Sequence, residues 1–95
     1  MRVLVRAAAA ADIDAAYLWY EQQRAGLGEE FLVEVQAVRE RILRHPETFP
    51  MMLRQTRRVL LKRFPYAMYY RLAGDLVIVV ACMHGRRDPK RLVTR

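Results

Sequence analysis

Residues 67–83 read AMYYRLAGDLVIVVACM, and the way this stretch pairs decides the fold. Ala67 to Leu72 is rich in aromatic and long apolar side chains, Leu76 to Met83 is an unbroken apolar run of strand length, and Ala73-Gly74-Asp75 between them has turn chemistry. Two antiparallel strands follow. A strand without polar alternation is covered on both faces, so Leu76 to Met83 is expected at the centre of a sheet, with helices on one side and a tail or a partner on the other. Upstream, Pro65 separates this hairpin from Arg58 to Phe64, a further strand-like segment, and the three make a meander.

Further towards the N-terminus the period changes. Ile13, Ala16, Tyr17, Tyr20 and Arg24 fall at i, i+3, i+4, i+7 and i+11, one face of a helix whose start is marked by Asp12 and Asp14. Gly26-Leu27-Gly28 reads as the turn that ends it. From about Gly28 to Arg44, Phe31, Val35, Val38 and Ile42 mark a second stripe, with Glu29 and Glu30 at its start and Arg41 and Arg44 at its end, as the helix dipole prefers. His45 to Pro50 reads as a loop. Met1 to Arg6 alternates like a short strand with Val3 and Val5 on its buried side. The order is β, α, α, β, β, β: an α+β domain spanning 1–95, with an antiparallel helix hairpin packed on a mainly antiparallel four-stranded sheet.

At 95 residues and 54% hydrophobic composition, the chain is long enough for one core and too apolar for wholesale disorder. Leu76 to Met83 falls far short of the ~20 residues a membrane-spanning helix needs. The single cysteine, Cys82, has no internal partner, and the N-terminus does not resemble a signal peptide, so a reducing cytoplasm is the expected location. No His or Cys pair has metal-ligand spacing, no glycine loop is built to cradle a phosphate, and the chain has no serine; neither a metal nor a cofactor is expected.

What chemistry the chain carries is basic. Residues 1–50 hold six arginines against eight acids, a charge of −2, while residues 51–95 hold nine arginines and two lysines against two acids, a charge of +9. That asymmetry points to an anionic partner. In a three-stranded meander the ends of the first and third strands lie near each other, which would gather His84, Arg86 and Arg87 with Arg58 and the Lys62-Arg63 pair. A metal-free ribonuclease needs such a set, an acid or base with cations for the phosphorane, and His84 with Arg58, Arg86 and Arg87 are the candidates for it. Arg57, Lys62, Arg63 and Arg71, interleaved with Tyr66 and Tyr70, suit instead a binding surface for an anionic partner. Trp19 lies off the apolar stripe of its helix and is a candidate contact with that partner.

Several short motifs, taken in order, resemble one family. They are Asp12-Ile13 before Trp19-Tyr20-Glu21, Gly26-Leu27-Gly28, Phe49-Pro50, Arg57-Arg58-Val59-Leu60, Phe64-Pro65-Tyr66-Ala67 with Tyr69-Tyr70-Arg71, and His84-Gly85-Arg86-Arg87-Asp88-Pro89. Together they resemble the RelE/ParE superfamily of toxins from type II toxin–antitoxin modules, ParE-like branch, over nearly the whole chain. The resemblance implies a toxin that arrests growth unless a cognate antitoxin covers it with an acidic C-terminal segment, giving a hetero-oligomer. It also implies a target: DNA gyrase for ParE-like members, or mRNA on the ribosome for RelE-like endoribonucleases. RelE-like members commonly use a C-terminal tyrosine, and here the chain ends Arg91-Leu92-Val93-Thr94-Arg95, so the resemblance favours gyrase. A non-toxic binding partner is the remaining alternative.

Overall fold

Gly74 takes φ 59°, a left-handed conformation open to glycine at little cost, and the two-residue turn it begins folds β4 (Tyr66–Ala73) against β5 (Leu76–His84). The computed structural model describes residues 1–86, 91, 92 and 95. Before this hairpin the chain runs through β1 (Arg2–Val5), α1 (Ala7–Gln23), α2 (Leu27–Arg44), β2 (Met51–Leu53) and β3 (Thr56–Leu60). The sheet order is β1-β5-β4-β3-β2, antiparallel throughout except that β1 lies parallel to β5. The α+β class and the helix hairpin are as expected, but the sheet has five strands where the sequence reading has four.

The additional strand comes from a turn without the usual turn residues. Arg54 and Gln55 have φ values of 51° and 60°, both left-handed, and they join β2 to β3 in a tight hairpin usually built on Asn-Gly. Nothing in Arg-Gln announces such a turn, so the sequence reading starts the next strand at Arg58; Thr56, two residues before that start, is fully buried within β3. Gln55→Gly should relieve this strain and raise the stability by about 1 kcal/mol, read as an upward shift in the thermal midpoint.

Both faces of β5 are covered, and a bulge explains how. Tyr69 pairs with Ala81 and Tyr70 with Val79, so Val80 is the extra residue. Val77 and Val79 point into the core beneath the helices, Val80 and Ala81 both point to the opposite face, and Cys82 points helix-ward again. The opposite face is closed by Leu92, 1% exposed, packed with Ala67, Tyr69, Val80, Ala81 and Met83. This is the tail expected to cover that side. β1 is an edge strand: Val3 packs on the core, whereas Val5 is exposed, contrary to the expected alternation, because the chain is already leaving the sheet for α1.

The helix hairpin is locked at its turn. α1 begins at Ala7, so Asp12 lies in its second turn and not at its positive end. Glu21, near the end of α1, accepts hydrogen bonds from the backbone N–H groups of Gly26 and Gly28, both at 2.9 Å. Its carboxylate thus satisfies donors that the start of α2 leaves open and sits at the positive end of that helix dipole. Beneath the hairpin, Phe31, Val38 and Ile42 of α2 meet Tyr20 of α1 and Val59, Met68, Tyr70 and Val77 of the sheet. Tyr20, Phe31, Phe64 and Tyr66 form an aromatic cluster whose stacked and edge-to-face contacts span 4.8 to 6.0 Å between ring centres.

Candidate partner-binding groove

Helical geometry places Trp19. Tyr17 touches α2 at Gly28, and at about 100° per residue two steps carry Trp19 to the opposite flank of α1. Asp12 and Ala15 share that flank, at i and i+3 before Trp19 at i+7. Facing them is the end of β5, residues Cys82, Met83 and His84, with Pro65 and Tyr66 beside it. Between the two sides runs a groove of about 450 Å³. Trp19 is 55% exposed at its rim, and an exposed indole over an apolar groove is the kind of group that anchors protein interfaces. His84 closes the far end, its ring edge-on to Tyr66 at 5.6 Å and its Nδ1 accepting the Arg86 N–H at 3.2 Å.

The basic residues do not converge as the meander argument expects. His84 pairs in register with Tyr66 and stands on the helix side of the sheet, whereas Arg58 pairs with Tyr69 on the opposite face. Two strand spacings and three residue steps separate them, about 10 Å in each direction, with the sheet itself between. Arg87 lies outside the described residues. Several expected binding residues prove to be internal braces. Arg57 donates from Nη1 to the carbonyls of Glu47 and Phe49 at 2.9 and 2.8 Å, holding the loop before β2. Arg71 donates to Thr56 Oγ1 at 2.9 Å and to the Leu92 carbonyl at 3.3 Å, tying the tail to the sheet.

Two further candidates sit at the β3–β4 turn. Arg63 is paired with Glu30, and the backbone N–H groups of Lys62 and Arg63 both donate to Glu34 Oε1, at 2.9 and 3.1 Å. The Arg63 hydrogen bond, then that of Arg24, holds the Glu30 carboxyl below its ordinary pKa. Tyr70 is fully buried, its hydroxyl donating to the Pro46 carbonyl at 2.6 Å, so it cannot stack on a base. Exposed cations remain at Arg54, Lys62 and Arg86. Among the described residues, the positive charge of the C-terminal half is therefore spread over several braces and a few exposed cations.

The sequence reading missed the residue that organises the groove's wall. Asp12 Oδ2 accepts the buried Cys82 N–H at 3.0 Å, and the same carboxylate takes both terminal nitrogens of Arg95 at 2.7 and 3.1 Å. Arg95 also donates to the Val80 carbonyl at 3.1 Å, and Arg6 donates to the Arg95 backbone oxygen. The i, i+3, i+7 spacing of Asp12, Ala15 and Trp19 is a signal that could place them on one helix flank, whereas the sequence reading uses Asp12 only to mark the helix start. Burial, reinforced by the Asp12 charge, pushes the Cys82 thiol up to about 12. The folded pKa lies above the ordinary thiol value of about 8.5, so the associated stability is complete below that pH and is lost as pH rises towards 12. Between pH 9 and 12 the wild-type chain should lose stability faster than Cys82→Ala. At pH 8 a thiol reagent should label the native thiol roughly a thousandfold more slowly than the denatured one.

Residues 3–89 match the family model described as the ParE toxin of the type II toxin–antitoxin system, parDE. The chain belongs to the ParE toxin family. A solved structure titled as the chromosomal ParDE TA system from P. aeruginosa superposes with a TM-score of 0.67 at 23% identity, covering 88% of this chain and 95% of that one. At that identity the match speaks for the ParE-like fold alone. No curated protein matches by sequence. ParE membership makes an antitoxin the natural partner, and among the described residues no helix is long and apolar enough to cross a membrane.

Proposed function

We propose that this ParE-family toxin arrests growth in the cytoplasm by acting on DNA gyrase, and that a cognate antitoxin neutralises it through an acidic C-terminal segment, the two forming a hetero-oligomer. The observation that carries this reading is the separation of His84 from Arg58 by the sheet. Phosphoryl chemistry needs an acid or base and cations around one phosphate, and these two candidates for that work face opposite ways. A binding toxin needs a surface instead, and the groove under Trp19 supplies one.

The test is induction without antitoxin, with plasmid topology and RNA ends read from the same cultures, and a supercoiling assay with the purified chain and gyrase. Growth arrest with inhibited supercoiling and intact transcripts is the expected result. Ribosome-dependent cuts in mRNA with normal supercoiling would replace this reading by the RelE-like one. Unchanged growth would make the chain a binding partner without toxicity. Co-expressing the antitoxin should restore growth in the expected case.

A further inference from the structure

Residues 48–74 hold β2, β3 and β4 and contain no Asp or Glu. Their cations do not all serve the fold. Arg57 and Arg71 are braces and Arg63 pairs with Glu30, whereas among the described residues nothing partners the side chain of Arg54 or of Arg58. Arg58 and Leu60 stand on the face of the sheet away from the helices, since they pair with Tyr69 and Ala67. Leu53, opposite the Thr56 of the same strand face, joins them. Leu92 closes this face over β4 and β5 but leaves Leu60 56% exposed, and Met52 on the edge strand is exposed too. At the end of the hairpin Arg54 is exposed and, with Gln55, held left-handed. Non-glycine residues kept in that conformation store strain, and such positions cluster where a binding surface must keep one shape. The shape is also fixed from behind, because Arg41 of α2 donates to the Leu60 carbonyl at 3.1 Å.

We infer that this face of β2 and β3 is a second surface of the toxin, separate from the groove, and that it holds an acidic surface of the protein target. The inference rests on the gyrase reading above and deepens it, by naming the part of the toxin that grips the enzyme. Apolar groups of the target would cover Leu53, Met52 and Leu60, and carboxylates beside them would reach the Arg54 and Arg58 guanidiniums. Arginine set among apolar side chains is the composition of a protein interface. A phosphate backbone instead needs a track of cations and no apolar floor. With no acid in these strands to repel it, an acidic partner meets complementary charge wherever it lands on them. The groove lies on the helix side at the end of β5, whereas β2 is three strand spacings away, about 14 Å, and this face points the other way. The two surfaces can therefore be altered separately.

Leu60→Glu and Arg58→Gln test the surface, and Val33→Glu, on the exposed side of α2, is the control. In a supercoiling assay with purified gyrase, the toxin concentration for half inhibition should rise about tenfold or more for Leu60→Glu, which sets a negative charge against the acidic partner. It should rise about tenfold for Arg58→Gln, the effect of losing one charge-assisted contact, and stay within about threefold of wild type for Val33→Glu. Thermal melts, with the emission of Trp19, the single tryptophan, check that the fold and the groove survive in each variant. A second measurement needs no variant: in the wild-type complex with gyrase, hydroxyl-radical oxidation of Met52 and Leu60 should slow about fivefold as the interface excludes water. Equal potency of all three variants, or unprotected Met52 and Leu60 in the complex, would overturn this surface while leaving the gyrase reading intact. Binding to DNA without gyrase, lost in Arg58→Gln, would overturn it in favour of a nucleic acid. A wild-type chain that neither binds nor inhibits gyrase would bring down both.

Discussion

Gly28→Ala should cost about 3 kcal/mol of stability, because a methyl group at that position has nowhere to go. A Cβ on Gly28 would lie 2.8 Å from two ring carbons of Tyr17 and 2.8 Å from the Tyr17 carbonyl oxygen. The ring can rotate, but the carbonyl belongs to the backbone of α1, so the two helices must move apart. That separation disturbs the Glu21 contact to the Gly28 N–H and the packing of Tyr20 on Phe31. In a domain of this size the loss corresponds to a fall of roughly 15 °C in Tm. Gly26 is the control. It is left-handed, with φ 89°, yet has open space around its Cα. Gly26→Ala should therefore cost only the backbone strain, about 1 kcal/mol. Thermal melts in which both variants lose the same amount would show that the close approach of the helices contributes nothing.

The second large effect is expected at Asp12. Asp12→Ala removes the acceptor of the buried Cys82 N–H and both contacts of the Arg95 guanidinium, leaving an unpaired donor and a partly buried charge. A cost of about 3 kcal/mol follows from those two terms. Arg95→Ala is milder, about 1 kcal/mol, because Asp12 keeps the Cys82 N–H and remains partly open to water. The double variant should lose less than the sum of the two, since both remove the same pair. Urea unfolding of the four chains measures all of this. Equal losses for Asp12→Ala and Arg95→Ala would mean that the carboxylate acts through the ion pair alone, and the role given to the Cys82 N–H would be wrong.

How much of the site could be read without coordinates differs from residue to residue, for physical reasons. Trp19 was legible because its place on α1 follows from the rotation per residue and a short apolar stripe. Asp12 and Arg95 are 83 positions apart, and nothing local in either segment records that they meet. The basic residues of β3 to β5 were legible as charges but not as a site. Whether Arg58 shares a face with His84 depends on strand register, and one residue of register reverses every side chain. The braces made by Arg57 and Arg71 are similar, since their acceptors are carbonyl oxygens that every residue carries and no sequence pattern distinguishes.

The sequence by itself determined the ParE-like architecture in outline: the two helices, the glycine-bearing turn between them and the apolar strand β5. Those features rest on interactions within a few residues, and the period of 3.6 or of 2 writes them into the order of side chains. Only the tertiary structure decided the parallel docking of β1, the β2–β3 hairpin on Arg54 and Gln55 and the bulge at Val80. Each depends on groups brought together from distant parts of the chain, or on a strained turn held by its surroundings. The groove belongs to this second set, because its walls come from α1 and β5 and exist only once the helix has packed on the sheet.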